Sequence, residues 1–231
     1  MSREANKVIE SLQKELIEAA ALHDKMMLLV DGDRRQSSFE NMLVEQFVLS
    51  IAVKWEAFIN SLIIAYIIDD QRKFVSNLKR KVKTSNIDRF KKPLADFIKF
   101  SPPRELNPSQ ILKLADPEGE NITAKSSDSL ENKVKNILAV KHAKKFILDN
   151  KDRAFLDFLK SLRNFLSHNS RKSKRLLKES MEKLRDADNN SPLVSLPLNQ
   201  VNIYLKYEVS PGIRRTRIIV DNLKRISNSF R

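Results

Sequence analysis

MLVEQFVLSIAVKWEAFINSLIIAYII, residues 42–68, reads as one long helix with almost no polar side. Val44, Phe47, Val48, Ile51, Trp55, Phe58, Ile59, Leu62, Ile63 and Tyr66 recur at helical spacing and leave it apolar nearly all round. Such a helix belongs at the centre of a fold, covered by several neighbours. Only Glu45, Lys54 and Glu56 interrupt it. Its longest charge-free piece, Ala57 to Ile68, falls short of the about 20 residues that cross a bilayer, so a buried helix is expected. It should start after Ser37 or Ser38, where serine can cap, and end near Asp69.

The flanking chain is also helical in pattern. From about Ser2 to Val30, Val8, Ile9, Leu12, Leu16, Ala19 and Ala20 fall on one face, and Asp31-Gly32-Asp33 supplies a turn. Gln71 to Phe100 holds basic, helix-compatible pieces with Pro93 at a helix start. Ser101 to Asp128, with Pro102, Pro103, Pro108, Pro117 and Gly119, reads as an irregular insertion carrying at most a short helix around Ser109 to Ala115. Helical periodicity returns at Leu130–Leu148, Asp152–His168 and Arg171–Arg185. Beyond a loop with Pro192 and Pro197, Val201, Ile203, Leu205, Tyr207 and Val209 alternate like a strand, and the choice between strand and helix stays open. Pro211-Gly212 signals a turn, and Ile218, Ile219, Asn222, Leu223 and Ile226 suit a final helix. The expected architecture is all-α, one domain over residues 1–231, with the insertion at about 101–128 and a basic carboxyl-terminal extension at about 191–231.

The composition agrees. The 231 residues suffice for one substantial core, the hydrophobic share is 41%, and three glycines with eight prolines leave little material for the turns of an all-β fold. Forty-three Lys and Arg face 29 Asp and Glu, a net charge of +14, which points to a polyanion, RNA or DNA before an acidic small molecule. The absence of cysteine excludes disulfides, thiolate metal sites and cysteine nucleophiles, and is compatible with a reducing compartment. The start, Met1-Ser2-Arg3-Glu4, has no apolar signal core, so a cytoplasmic protein without a membrane partner is expected. Glycine-rich phosphate loops, metal-ligand spacings and nucleophile-elbow serines are missing, so no cofactor is expected.

Chemistry concentrates in RAFLDFLKSLRNFLSH, residues 153–168. Phe155, Phe158, Leu159, Leu162 and Leu166 form a stripe that must face the core. Asn164 and His168, four apart, fall on the outward face, and Arg163 lies on the flank of the stripe. Glu56, an acid in an almost wholly apolar helix, should need a cation if buried, and Arg163 is a sensible one. Alternatively Glu56 reaches solvent or pairs with Lys54 or with a neighbouring helix. Arg163 and His168 stand about 140° apart on an ideal helix. Either Arg163 reaches around, or the helix frays near Ser167-His168-Asn169-Ser170, or Arg163 serves mainly Glu56. His23 reads as structural or exposed, and His142, among Lys141, Lys144 and Lys145, as an RNA contact. Arg171, Lys172, Lys174, Arg175 and Lys178 follow the motif and are the best placed to hold RNA phosphates. Lys79, Arg80, Lys81 and Lys83, and Arg214, Arg215 and Arg217, are further basic runs.

Arg163-Asn164-Phe165-Leu166-Ser167-His168, on a helix that follows an apolar stripe, resembles the R-x4–6-H signature of the HEPN superfamily, including its Asn directly after the Arg. VLSIAVKWEAFINSLI, residues 48–63, resembles the long second helix of such domains, with Glu56 as the acid often found near the motif. The resemblance covers about Phe39–Asp69 and Leu130–Arg185. It implies a HEPN-type helical bundle and a metal-independent ribonuclease acting as a homodimer. The residue types suit that chemistry. When a ribose 2′-OH attacks the adjacent phosphate, leaving a 2′,3′-cyclic phosphate, a base, an acid and positive charge on the phosphorane are needed. An imidazole titrating near about pH 6.5 can move either proton, and a guanidinium fits phosphate oxygens. His168 would shuttle protons, Arg163 would stabilise charge, Asn164 would orient and Glu56 would position Arg163. A twofold dimer would bring two such motifs into one cleft. A toxin or antiviral effector cutting tRNA or mRNA, held by an antitoxin or regulatory protein, fits this reading. A non-catalytic HEPN module binding RNA or a protein partner, or a basic helical DNA-binding protein, are the alternatives.

Overall fold

The computed structural model describes residues 2–84, 106–115, 122, 124, 126–194 and 200–231. It is all-α in character: α1 Arg3–Leu29, α2 Gln36–Asp69, α3 Arg72–Thr84, α4 Pro108–Ala115, α5 Ser127–Ile137, α6 Val140–Ala143 running into a 3-10 turn at Lys144–Phe146, α7 Asn150–His168, α8 Arg171–Ala187, α9 Val201–Lys206 and α10 Arg215–Ser229. Among the described residues the only strands are β1 Glu208–Ser210 and β2 Ile213–Arg214, paired antiparallel around Pro211-Gly212. Gly212 adopts φ 74°, a left-handed turn conformation that costs glycine nothing. Pro93, Pro102, Pro103, Pro117, Gly119 and Pro197 lie outside the described residues.

Three boundaries differ from expectation. Neither Ser37 nor Ser38 caps α2, which begins earlier, at Gln36. The chain is turned into the helix by Asp33, whose Oδ1 accepts the Arg35 N–H at 2.6 Å, and by Gln36, whose Oε1 accepts the Gly32 N–H at 3.1 Å. The pattern over Leu130–Leu148 is two helices, because Leu138 (φ −97°, ψ 150°) and Ala139 (φ −55°, ψ 147°) are extended. That joint redirects the chain while Ile137, Leu138, Ala143 and Phe146 all stay buried, so the apolar rhythm runs through the break. Residues 201–209 divide between the two readings. Val201, Tyr204 and Leu205 are buried at the spacing of a helical turn, and the strand starts only at Glu208.

The chain divides into two compact units, each drawn from two stretches: Met1–Val8 with Ile59–Ile147, and Ile9–Phe58 with Leu148–Arg231. In the first, Leu62, Ile63, Tyr66 and Ile67 of α2 are buried, as are Phe74 of α3, Ile111 of α4 and Val134 of α5. Gln71 clasps Leu106 twice, through Nε2 to its carbonyl at 3.1 Å and Oε1 from its N–H at 2.9 Å. His142 is 3% exposed, stacked on Tyr66 at 4.4 Å, with Nε2 2.8 Å from Asp69 Oδ2. It is therefore a buried partner of Asp69 and not an RNA contact.

In the second unit, α2 contributes Val44, Val48, Ile51, Trp55 and Phe58, α7 contributes Phe155, Phe158, Leu159 and Leu162, and α10 contributes Ile219, Leu223 and Ile226, all buried. Each such side chain taken from water stabilises the fold by roughly 1.5–3 kcal/mol. The ring of Phe230 lies 6.3 Å from Trp55 and 6.0 Å from Phe58, tying the chain's last turn to α2. His23 stacks on Phe47 at 4.3 Å. Arg215 belongs to the core and not to a basic surface: it is fully buried between the rings of Tyr204 and Tyr207, 4.7 and 4.8 Å from their centres. By length and composition α2 could cross a membrane, and half of its most apolar window is buried inside the protein.

Candidate functional site

The helix carrying the motif is fixed at both ends. Asp149 caps its start by accepting the Asp152 N–H at 2.8 Å, and both guanidinium nitrogens of Arg225 hold Asp152. Phe155, Phe158, Leu159 and Leu162 anchor one side in the core as expected, while Leu166 is half-buried. The end is sharp. Asn169 adopts the left-handed conformation (φ 41°, ψ 37°) and its N–H donates to the Phe165 carbonyl at 2.7 Å. Ser170 then caps α8 in a reciprocal box with Ser173. The helix thus stays intact through His168, and no fraying brings Arg163 and His168 together.

His168 lies exposed in the last turn and has no hydrogen-bond or charge partner among the described residues. Lys160, Asn164 and His168, each four apart, share one stripe of the helix. Arg163 joins that stripe through its side chain: Nη1 donates to Asn164 Oδ1 at 3.1 Å. With its carbonyl oxygen engaged, Asn164 has its amide N–H groups to offer outward. The Arg163 Nε is buried without a hydrogen-bond partner.

Glu56 both reaches solvent and stands beside Arg163. It is exposed on the surface of α2, so the burial that would have demanded a cation is absent. Its Oε2 stands 3.9 Å from Arg163 Nη2, a charge contact longer than a hydrogen bond. Lys54 does not take it either, pairing with Glu15 at 2.8 Å. Lys160 was missed in the sequence. Half-buried beside the pair, its ammonium is pushed below the usual lysine value by burial first, with Arg163 acting the same way and Glu56 and Asp157 opposing. Its spacing of four before Asn164 was the available signal.

The five basic residues after the motif separate by direction. Arg171 and Lys172 are exposed in the first turn of α8, and Arg175 pairs with Glu179 at 3.5 Å. Lys174 and Lys178 instead line a cleft of about 530 Å³ bounded by α2, the end of α7, α8 and α9. Phe165, Leu166 and Asn169, on both sides of His168 in sequence, form part of its wall. Glu45, recorded from sequence only as an interruption of an apolar run, also lines it, and burial raises its carboxyl above the usual range. Among the described residues no group of three His, Asp or Glu side chains is placed to hold a metal ion. Comparison of the chain with family models, with curated proteins and with solved structures gives no match.

Proposed function

We propose that this protein is a cytoplasmic, homodimeric, metal-independent endoribonuclease of the HEPN type, acting on tRNA or mRNA as a toxin or defence effector under the control of a partner protein. The observation that carries the reading is the bond from Arg163 to Asn164 on the same outward stripe as the exposed, unpartnered His168. A half-buried guanidinium and amide, bonded to each other, and an exposed imidazole thereby lie along one side of a helix whose other side is core.

In this mechanism one His168 takes the proton from the ribose 2′-OH as the oxygen attacks phosphorus. Arg163, with the Asn164 amide, holds the non-bridging oxygens as charge gathers on the phosphorane. The P–O5′ bond breaks, and the second protomer's His168, protonated, gives its proton to the departing oxygen. The products are a 2′,3′-cyclic phosphate and a free 5′-OH. One subunit offers one such imidazole, so a twofold pair supplies both base and acid.

The test is incubation of the purified protein with total RNA in the presence of a chelator, with end-group analysis of the fragments. Cyclic phosphate ends from the wild type, abolished in a folded His168→Ala variant, are the expected result. RNA binding without cutting, unchanged by that substitution, would favour a non-catalytic binding module and overturn the proposal, as would cleavage that chelation stops and added metal restores.

A further inference from the structure

We infer that the cleft between α2, the end of α7, α8 and α9 is a nucleotide subsite, which seats a guanine base against Glu45 with the attached phosphate between Lys174 and Lys178. The inference rests on the ribonuclease reading only in assigning the nucleotide to an RNA strand; the cleft chemistry stands apart from it.

Three features define the occupant. The first is charge. Lys174 and Lys178 stand one helical turn apart, both exposed and both on the cleft, with no acid paired to either among the described residues. Like charges at that spacing repel, and an anion bound between them removes the repulsion. Lys206 adds a third ammonium to the wall, although Glu40 already holds it at 3.3 Å.

The second is an unmet need for donors. Glu45 is half-buried and has no hydrogen bond or ion pair among the described residues, and burial is the one influence on its carboxyl. A partly desolvated carboxylate that faces a cleft and that no protein donor engages can take two adjacent N–H groups of a ligand. Guanine presents such a pair at N1 and N2 on its Watson–Crick edge, where adenine, cytosine and uracil do not. Asn41, one turn earlier on α2 and also on the wall, has an occluded Oδ1 without a partner. The third feature is shape. Phe165, Leu177 and Ile203 give the cleft an apolar side on which a flat base can lie, and about 530 Å³ falls within the roughly 300–1,000 Å³ typical of small-molecule sites.

The position makes the subsite functional. Phe165 and Asn169 of its wall flank His168 in the last turns of α7, and on the ribonuclease reading a base seated here would belong to the strand that His168 and Arg163 handle. The cleft then selects where the strand is cut.

The experiment has a binding arm and a cleavage arm, each with wild type, Glu45→Gln and the double variant K174A/K178A, all checked for native melting. In the binding arm, titration calorimetry with GMP, AMP, inorganic phosphate and the trinucleotide UGU is expected to show GMP binding tighter than AMP by roughly tenfold. Glu45→Gln should erase that preference, and K174A/K178A should weaken GMP, AMP and phosphate alike. UGU binding tighter than GMP identifies a strand as the natural occupant, and GMP binding tighter than UGU identifies a free nucleotide; either outcome supports the subsite. Equal affinity for GMP and AMP, or a preference untouched by Glu45→Gln, overturns it. In the cleavage arm, cuts next to guanine should lose their base preference in Glu45→Gln. Wild type that cuts RNA with no base preference altered by the variant sinks the subsite and leaves the ribonuclease intact. Wild type that binds GMP selectively without cutting sinks the ribonuclease and leaves the subsite.

Discussion

Replacing Glu56 with glutamine removes the negative charge beside Arg163 while keeping shape and hydrogen-bonding capacity. The two charges stand 3.9 Å apart, with 31% of the Arg163 side chain and 49% of the Glu56 side chain exposed. At that distance Coulomb attraction amounts to about 1 kcal/mol if water screens it fully. Half-exposed pairs lose part of that to side-chain ordering, and exposed ion pairs contribute roughly 0.2–1 kcal/mol. The guanidinium also has another anchor, the 3.1 Å bond to Asn164. Glu56→Gln should therefore lower stability by less than about 1 kcal/mol, and should slow RNA cleavage no more than roughly fivefold, the rate equivalent of that energy. Arg163→Gln, which removes the charge meant for the phosphorane, should cost roughly 100-fold or more. Single-turnover cleavage of a fluorescent RNA, with thermal melts of the same preparations, measures both. A Glu56→Gln variant that melts normally yet loses as much activity as Arg163→Gln would refute the reasoning. It would mean that the acid, and not Asn164, sets the working position of the guanidinium.

Removing Arg225 exposes a different dependence. The Asp152 side chain is 7% exposed and both Arg225 Nη atoms hold it, while Arg225 itself is 56% exposed. Arg225→Ala strands a buried carboxylate that water can partly reach, and should cost about 1–3 kcal/mol by chemical denaturation; Asp152→Asn in the same chain should recover much of it, and no recovery would point to lost packing instead. Acid should weaken the fold in two stages. Burial holds His23 and His142 below their usual value of about 6.5, so the unfolded chain takes up protons that the folded chain refuses. Their contribution is complete above that pH and is lost as pH falls through the folded values. Asp69, held low chiefly by Lys141, and Glu40, held low chiefly by Gln36, add a second loss at lower pH. Glu45, raised by burial, works in the opposite direction. Melting temperature should decline from pH 7.5 to 5.5, and a level or rising profile would contradict the assignment of both histidines to the interior.

The helices were legible because their cause is local. An apolar run with no polar side, as in α2, or a stripe recurring every three or four residues, as in α7, can satisfy its backbone and bury its side chains in one way. The turns at Gly32 and Pro211-Gly212 were legible for the same reason. The break at Leu138-Ala139 was not, because two extended residues leave the apolar rhythm unchanged. The Arg163–Asn164 bond was not either, because it depends on rotamers and not on spacing.

The two acids of α2 show where such reading stops. Glu45 and Glu56 are eleven residues apart, which on an ideal helix sets them within about 20° of each other. A helical wheel therefore treats them alike, and the argument that a carboxylate buried in an apolar helix needs a partner applied to both. Glu56 is exposed, whereas Glu45 is half-buried and unpaired among the described residues. What separates them is distant in sequence. Gln200, Val201, Asn202 and Ile203, far along the chain, line the same cleft as Glu45 and take water away from that end of the helix. A charge in an apolar run thus signals that something polar must meet it, but only the tertiary neighbours tell whether that something is solvent or a ligand. For Glu56 it is solvent, with Arg163 nearby. For Glu45 no group among the described residues supplies it, and its place on the cleft wall is the reason to look for a base there.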